Sequence, residues 1–512
     1  MPYKKGDVKH VLSCMTLGSS VAEQDELLES ARVETSVLTD LLNDKVDLIP
    51  GTKGSGKSAL YRIFVDFLPD ALLQRQKVVI AHGVQSAGDS VFHVHKMDFG
   101  RMNEDEFVNF WCIYLVSLAN EHFVKGARYS KFLKPCSAEV QAFRQACKRA
   151  RIPEFEDQKS LRDVLGWVLA VMGSWRPKVK YRPPGHAGEV EVLLFETAQT
   201  SASESRRIRR RDNLPQYVHA VKQTLESLLE KAGLSLWLMI DRLDEIFPRR
   251  SPVETRALRG LLRTLRIFES SRIRLKVFLR DDIFEQVVAD GKGFTALTHI
   301  TARQADTLRW SPEQILTMIV KRLYASENVR QYLKVDLDRL SASRGYREKA
   351  FYKVFPPTVD RGSRRSSTLR WIYNHTADGR GVVTPRDVID LLTKARQRQQ
   401  DEFGADISGE TDYIIGSTAI KYGLRELSKR RRTTFLEAEF PHLLQHIIKF
   451  VGGKAEYDER SMIRLFGKKW ASIADDLVSI GLLRRETKRD ASITFKIPFV
   501  YREGLEVTQG KA

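Results

Sequence analysis

The chain has 512 residues, 42% of them hydrophobic and 29% charged, which is enough for several domains with sizeable cores. Lysine and arginine number 84 against 65 aspartate and glutamate, a surplus of 19 positive charges that would attract nucleic acid or an acidic partner. The apolar runs are too short for a membrane span and no apolar leader opens the sequence, so we expect a cytoplasmic location and no membrane partner. The four cysteines lack metal-ligand or paired spacing, which disfavours a zinc or disulfide frame.

The first half of the chain predicts a parallel sheet. Residues 22–42 place apolar side chains at helical intervals, so residues 1–45 predict a helical lead-in. A short apolar strand at 45–50, a glycine-rich loop, a helix and a second strand at 77–84 then follow. Such a series predicts parallel strands wrapped by helices.

Two longer segments follow the second strand. Residues 104–124 predict a buried helix with an aromatic and aliphatic face. Residues 125–213 are interpreted as an insertion, because basic helical pieces give way to a proline-rich and then a serine- and arginine-rich stretch. The basic run at 206–211 is either a solvated linker or a phosphate-binding track.

The glycine-rich loop matches the pattern G-x-x-x-x-G-K-[ST]. Its glycines suit a backbone that bends tightly and directs N–H groups at phosphate oxygens. Lys57 is expected to reach the β- and γ-phosphates of ATP, and the Ser58 hydroxyl to bind Mg²⁺. The alternative, a chance glycine-rich turn, is disfavoured by the strand before it and the helix after it. The predicted nucleotide-binding residues are Gly51, Thr52, Lys53, Gly54, Ser55, Gly56, Lys57 and Ser58.

A second stretch whose residues could act in metal binding or catalysis spans residues 234–247, where six mostly apolar residues end at Asp241. An acid at the carboxyl end of a buried strand is well placed for ligand binding in an α/β sheet, and Asp241 is expected to hold Mg²⁺. Asp244 and Glu245 can reach the same cavity, and Glu245 could orient or deprotonate the water that attacks the γ-phosphate. The alternative is a strand that ends in a solvated acidic turn.

A further strand opens the stretch 273–287, and its apolar run ends at Arg280, Asp281 and Asp282. Arg280 is a candidate sensor of the γ-phosphate. An ordinary ion pair between Arg280 and a nearby carboxylate explains the same residues equally well.

With these motifs in order, the chain resembles the STAND- and KAP-like, AAA+-related branch of prokaryotic P-loop ATPases, whose second acidic motif similarly runs hydrophobic-D-x-x-D-E. The segment "LGSSVAEQDELL" (17–28) also looks like the segment that precedes the ATPase core in one prokaryotic subgroup. The resemblance implies ATP and Mg²⁺ as cofactors. It further implies that the loop binds nucleotide, Asp241 binds Mg²⁺, Asp244 and Glu245 act in hydrolysis and Arg280 acts as a sensor.

Beyond this core, residues 308–323 and 384–400 resemble the helical lid of such ATPases. Arg386 follows a proline, as does the second sensor arginine that touches the γ-phosphate from the lid in AAA+-like proteins. The glycine that usually stands directly before this pair is absent here. An ordinary helix start, with Thr384 as N-cap and Pro385 in the first helical position, is the alternative.

The last hundred residues look like a winged helix, with helices at 434–450, 458–467 and 469–479 before a hairpin with a basic tip. This domain could bind nucleic acid, but docking to a protein or intramolecular regulation is slightly favoured because no base-reading side chain stands out. The expected fold class is α/β, with a P-loop NTPase parallel sheet wrapped by helices, a helical lid and a C-terminal winged-helix domain. The expected domains are a lead-in at 1–45, a core at 46–305 with an insertion at about 125–213, a lid at 306–405 and a winged helix at 406–512.

These features favour a Mg²⁺-dependent, ATP-hydrolysing switch that controls a partner. The resemblance implies a role in anti-phage defence or nucleic-acid maintenance, with an effector or regulatory protein and further copies of the chain as partners. One alternative is a DNA-binding, AAA+-like loader or repair ATPase that uses the basic surplus and the wing. Another is a small-molecule phosphotransferase, which would need neither a lid nor a winged helix.

Overall fold

The structure is a computed structural model, and it describes residues 2–83, 99–100, 102–150, 152, 178–181, 190–193, 214–243, 251–289, 294, 297–362, 365–405, 408–489 and 491–512. The chain divides into two compact units. The sheet unit comprises Ser36–Thr52 and Leu60–Leu308, and the lid unit comprises Met1–Thr35, Lys53–Ala59 and Arg309–Ala512. The glycine-rich loop therefore begins in the sheet unit and continues in the lid unit.

The strands are short and widely separated in sequence. They are β1 (Tyr3–Lys4), β2 (Leu48–Gly51), β3 (Val78–His82), β4 (Lys178–Tyr181), β5 (Val190–Leu193), β6 (Ser235–Ile240), β7 (Ile273–Arg280), β8 (Glu410–Thr411), β9 (Lys454–Asp458), β10 (Arg484–Thr487), β11 (Ile493–Lys496) and β12 (Thr508–Lys511). Two pairs stand apart from the larger sheets, because β1 pairs antiparallel with β8 and β4 pairs antiparallel with β5.

Helices make up most of the remaining regular structure. The α-helices are α1 (Lys5–Cys14), α2 (Ser36–Leu42), α3 (Lys57–Arg62), α4 (Pro69–Gln76), α5 (Glu104–Ala119), α6 (Ser130–Leu133), α7 (Ser137–Arg149), α8 (Leu214–Ala232), α9 (Pro252–Ile267), α10 (Asp281–Ala289), α11 (Leu297–Thr301), α12 (Pro312–Leu323), α13 (Glu327–Leu333), α14 (Leu337–Ala342), α15 (Arg344–Val354), α16 (Thr368–Thr376), α17 (Pro385–Ala405), α18 (Ser417–Arg431), α19 (Leu444–Ile447), α20 (Glu459–Phe466), α21 (Trp470–Ser479) and α22 (Phe499–Arg502). Five-residue or longer π-helical turns occupy Ile63–Phe67, Asn120–Val124 and Arg432–Glu437, and 3₁₀ turns occupy Ala22–Gln24, Ala127–Tyr129, Lys134–Cys136, Pro441–Leu443, Ile448–Phe450 and Gly467–Lys469. In the part of the chain that the structure describes, no helix is both long enough and apolar enough to cross a membrane.

The sheet unit is built on a four-stranded parallel sheet with the order β2-β7-β6-β3. The strands predicted at 45–50, 77–84, 234–240 and 273–280 are confirmed as these four. Their side chains are almost all buried, as expected for parallel strands covered by helices on both faces. The backbone on the other side of β2 is also paired, since the amides of Ala305 and Leu308 donate to the carbonyls of Leu48 and Pro50.

A buried ion cluster fixes the start of β2. Lys276 is a residue of β7, and its side chain is fully buried. Its ammonium donates to the Asp47 carboxylate at 2.7 Å and to the Val46 carbonyl at 2.8 Å. Arg303 donates to the second oxygen of Asp47 at 2.6 Å. These charge-assisted bonds hold the segment that leads into the glycine-rich loop.

Helices α5, α8 and α9 bury their apolar faces in the core of the sheet unit. The Trp111 indole links two of them by donating to the Ala257 carbonyl at 2.8 Å. The helix predicted at 104–124 is confirmed as α5, although its last turn is a π-helical turn at Asn120–Val124. Most of the predicted insertion, including the basic run at 206–211, lies outside the described residues.

The lid unit has a core of its own, formed by α1, the helices from α12 to α18 and the C-terminal domain. Its N-terminal part differs from the helix predicted over residues 22–42. The segment 25–31 forms turns, and helix α2, which already belongs to the sheet unit, covers only Ser36–Leu42. The reason is the Asp25 carboxylate, which accepts the amides of Ser19 and Leu27 and so satisfies the backbone without a helix.

The C-terminal domain contains α20 and α21 followed by the β10–β11 hairpin, in a sheet with the order β10-β11-β9-β12. This arrangement is the one expected of a winged-helix domain. The helix predicted at 434–450 is instead a series of π and 3₁₀ turns around the short α19, because Pro441 cannot continue a regular helix. The predicted α/β class, a helix-wrapped parallel sheet followed by a helical lid and a winged-helix-like domain, is confirmed.

Candidate functional site

The sheet unit collects three predicted site residues at the carboxyl edge of its parallel strands. Gly51 and Arg280 end β2 and β7 and are register partners, and Asp241 directly follows β6. Strand β7 lies between β2 and β6, so the strand that leads into the loop and the strand that carries the acid are about 9.5 Å apart. Polar groups at such an edge are in the usual ligand-binding position of an α/β sheet.

Asp241 is buried, and the backbone beside it is strained. Its residue exposure is 6%, and Arg242, the next residue, has a left-handed φ of 59°. Such conformations are uncommon for side chains other than glycine and concentrate at functional sites. Burial, together with the nearby charge of Asp241, raises the pKa of the Tyr61 phenol well above its ordinary value. The carboxylate therefore acts electrostatically on the helix that follows the loop.

Arg280 forms a forked ion pair with Asp282, two residues further along the chain. Its Nε donates to Asp282 Oδ1 at 3.0 Å and its Nη2 to Asp282 Oδ2 at 2.8 Å, and the guanidinium is buried. This is the ion pair that the sequence offered as an alternative to a sensor role. The sensor role of Arg280 stays a prediction.

Sequence reasoning did not single out the aromatic groups beside this edge. Tyr61 donates to the Gly83 carbonyl at 2.8 Å, just beyond β3, and its ring meets Phe278 edge-on. His82, the last residue of β3, lies with its ring centroid 4.3 Å from that of His122. Burial lowers the pKa of both histidines, that of His122 to about 3, so both are neutral near pH 7. The one available signal was the position of Tyr61, four residues after Lys57 and hence on the same helix face.

The lid unit holds the central part of the glycine-rich loop. Gly54 and Gly56 have left-handed φ angles of 84° and 103°, so two positions of the loop require glycine. The Trp310 indole donates to the Ser55 carbonyl at 2.7 Å, and the Tyr373 hydroxyl donates to the Trp310 carbonyl at 2.9 Å. Two aromatic residues from beyond the predicted core thus hold the loop backbone.

Gly54 lies directly against the start of helix α17. A Cβ on Gly54 would be 3.2 Å from Arg386 Cβ and 3.3 Å from Thr384 Oγ1. Thr384 Oγ1 accepts the Asp387 amide at 3.2 Å, so it is the N-cap that the sequence predicts. The structure therefore contains the ordinary helix start and also brings the stem of Arg386 to the loop.

Lys53, in a variable position of the loop, pairs with Glu439. The Glu439 side chain is only 4% exposed, whereas that of Lys53 is 33% exposed. Glu439 lies in the irregular segment before the C-terminal domain. No periodicity in the sequence could have indicated this pair, because it joins residues 386 positions apart.

Two observations indicate that a phosphate group would fit in the loop. Its left-handed glycines keep Cβ atoms out of the turn, which lets backbone amides approach an anion. Ser55 Oγ is buried and has no hydrogen-bond partner among the described residues. The Ser58 hydroxyl of the lid unit and the Asp241 carboxylate of the sheet unit each offer oxygen of the kind that Mg²⁺ prefers. Asp244 and Glu245 lie outside the described residues.

The basic wing is mostly paired with acids. Its contacts are Arg485 with Asp475, Lys496 with Glu486 at 2.5 Å, Arg484 with Glu486 at 3.7 Å and Lys488 with Glu456 at 3.9 Å. Helix α21, which precedes the wing, also exposes Asp476, next to the Asp475 that pairs with Arg485. The carboxylate of Asp476 would repel a phosphate backbone.

No family model matches the sequence, and no curated protein matches it. Among solved structures, the chain is similar to the ORC2 protein of Aeropyrum pernix, solved in ADPNP and ADP complexes. The two share 12% sequence identity with a TM-score of 0.42, over 92% of this chain and 91% of that chain. A TM-score below 0.5 does not establish a shared fold, so the fold class described above rests on the observed sheet, loop and helices.

Proposed function

We propose that this protein is a Mg²⁺-dependent ATPase that works as a nucleotide-controlled switch. The observation that supports this most is the position of Gly54 against Thr384 and Arg386, which packs the phosphate loop on the lid. A group bound to this loop would contact residues that belong to the lid. Binding or loss of the γ-phosphate could therefore change the lid, as a switch requires.

Each residue has a distinct role in the proposed reaction. Backbone amides of the loop would bind the phosphates and Lys57 would neutralise the β- and γ-phosphates. Ser58 and Asp241 are the residues that would each offer an oxygen to Mg²⁺. When bound, Mg²⁺ would supply positive charge that offsets the negative charge developing on the phosphate oxygens. Glu245 orients the attacking water and accepts its proton, assisted by Asp244, and Arg386 senses the γ-phosphate from the lid. Arg280 can serve as a sensor only if it exchanges its present contact with Asp282 for the phosphate.

Release of inorganic phosphate from ATP by the purified protein tests this proposal. We expect release that requires Mg²⁺, that Lys57→Ala abolishes together with ATP binding, and that Glu245→Gln reduces by at least about a hundredfold without loss of binding. The matched control is Lys45→Ala, because Lys45 is an exposed lysine whose ammonium lies 3.7 Å from the Asp40 carboxylate, away from the loop. Phosphate release that survives both the Lys57 and Glu245 substitutions would rule the ATPase out.

We propose a protein, rather than nucleic acid, as the partner of the C-terminal domain. The paired cations of the wing and the exposed Asp476 of α21 support this choice. The finer assignment to the STAND- and KAP-like branch, and to anti-phage defence, rests on the sequence motifs. Co-purification from the native host with and without ATP would identify the partner, and an effector encoded beside this gene would support the defence role.

A further inference from the structure

The segment Leu17–Asp25 is fixed to the lid by a buried ion pair. Arg322 of α12 donates through Nη1 and Nη2 to the two carboxylate oxygens of Asp25, at 3.1 and 2.5 Å. The side-chain exposures are 7% for Arg322 and 3% for Asp25. Arg322 Nη1 also donates to the Leu17 carbonyl at 2.6 Å, so one guanidinium holds both ends of the segment. A buried forked pair of this kind fixes the geometry of the groups that it joins.

The turn within this segment has no space for a side chain at Gly18. Gly18 has a left-handed φ of 67°, and a Cβ at this position would overlap the Asp25 carboxylate and the Arg322 guanidinium. Asp25 Oδ1 also accepts the Ser19 amide at 3.1 Å. The geometry of this turn therefore requires both Gly18 and Asp25, and neither residue has a role in the proposed ATPase chemistry.

The fixed segment presents Ser20 to helix α17. The Ser20 carbonyl accepts Arg386 Nε at 3.4 Å. One helical turn further on, burial raises the pKa of the Asp390 carboxyl, and the nearby Ser20 hydroxyl opposes this rise. Arg386 and Asp390 are four residues apart and so lie on one face of the helix. The Arg386 stem reaches Gly54 of the loop from this same position.

We propose that Leu17–Asp25 is a positioning segment that sets the orientation of Arg386 toward the phosphate loop. The inference rests on the proposed function, because it assigns to this segment a role in nucleotide binding. Asp25 and Arg322 act only through Ser20 and Arg386 and touch no substrate. Loosening the Asp25–Arg322 pair should therefore weaken nucleotide binding by the same mechanism as removing the Arg386 guanidinium.

A double-mutant cycle on the full-length protein tests this inference, with the dissociation constant of a fluorescent ATP analogue and Mg²⁺ as the readout. Asp25→Asn should weaken binding about tenfold, and Arg386→Ala should weaken it by a similar factor. In the Arg386→Ala background, Asp25→Asn should have almost no further effect, which a purely structural role for Asp25 would not produce. Asp25→Glu, which keeps the charge, should recover part of the affinity.

The matched control is Glu26→Gln, the same chemical change at the adjacent, exposed carboxylate, and it should leave the affinity within about twofold of wild type. Equal affinities for Asp25→Asn and Glu26→Gln, or additive effects of Asp25→Asn and Arg386→Ala, would overturn the inference. If Asp25→Asn does not fold, Ser20→Ala replaces it in the cycle, because it removes only the hydroxyl of the residue whose carbonyl accepts Arg386 Nε. Ser20→Ala should then weaken binding about threefold, and only when Arg386 is present.

Lys57→Ala separates this inference from the proposed function. Normal ATP binding by Lys57→Ala would refute the nucleotide site itself, whatever Asp25→Asn does. Loss of binding in Lys57→Ala with unchanged binding in Asp25→Asn would leave the nucleotide site in place and remove only the positioning role.

Discussion

Gly54 combines a left-handed backbone with close contact to helix α17. Alanine there would strain the backbone and place a Cβ 3.2 Å from Arg386 Cβ. We expect Gly54→Ala to lower the free energy of unfolding by about 1–3 kcal/mol and to weaken ATP binding. Urea unfolding and ATP titration of the same preparation measure the two effects.

The control for this substitution is Gly6→Ala in helix α1, where an added Cβ meets open space. Alanine is the better helix former, so this variant should be as stable as wild type or slightly more stable. Equal losses of stability in the two variants would contradict the reason given for Gly54.

At the scale of elements, a stack of rings joins α16 to α22 in the lid unit. The His375 ring lies between those of Trp371 and Phe499, with centroids 3.9 and 4.0 Å away, and Arg502 covers the other face of Phe499. His375 Nδ1 bonds the Trp371 carbonyl at 2.8 Å. Burial lowers the pKa of His375 to about 4, so the folded state keeps this ring neutral.

This stack predicts a loss of stability in mild acid. The folded-state pKa is below the unfolded value, so His375 binds a proton more readily when unfolded, and stability falls as the pH drops from about 6.5 toward 4. One such group costs about 1–2 kcal/mol between pH 6.5 and pH 5. His375→Phe should keep the stack and remove the share of this loss that His375 contributes, while the buried His82 and His122 keep theirs, as urea unfolding at both pH values would show. The same change at exposed His10 should leave the dependence in place, and identical pH profiles for the two variants would contradict the assignment.

At the scale of the whole molecule, the surplus of 19 positive charges and the pairing of the wing lead to separate expectations. The surplus should give weak binding to duplex DNA that falls at least about tenfold between 50 and 200 mM salt. Arg485→Ala should change this binding by less than about twofold, because Arg485 already pairs with Asp475. Fluorescence anisotropy with a labelled duplex measures both effects. A tenfold loss on Arg485→Ala would instead favour the DNA-binding loader over the protein-docking switch.

Particular residues show how far the sequence alone could define the site. The spacing from Gly51 to Ser58 and the strand that ends at Asp241 are local patterns, and both were readable without coordinates. The helix predicted over the N-terminal segment is mostly absent. Periodicity reflects only the spacing of apolar residues and does not indicate that the Asp25 carboxylate binds backbone amides. The sequence also left two interpretations open for Arg280 and Arg386, and the structure contains the ion pair of Arg280 and the helix start beside Arg386.

The positions of the four parallel strands along the chain, the phosphate-loop pattern and the class of fold were determined by the sequence itself, since each depends on the chemistry of neighbouring residues. Their order in the sheet, β2-β7-β6-β3, was decided by the fold. The tertiary structure alone decided that Gly54 contacts Arg386, that Lys53 pairs with Glu439 and that Asp25 pairs with Arg322. The two residues of each pair are hundreds of positions apart in the sequence. Apolar periodicity tells which face of a helix is buried, but packing selects the helix that covers it, and so the partners of each polar group appear only in the folded chain.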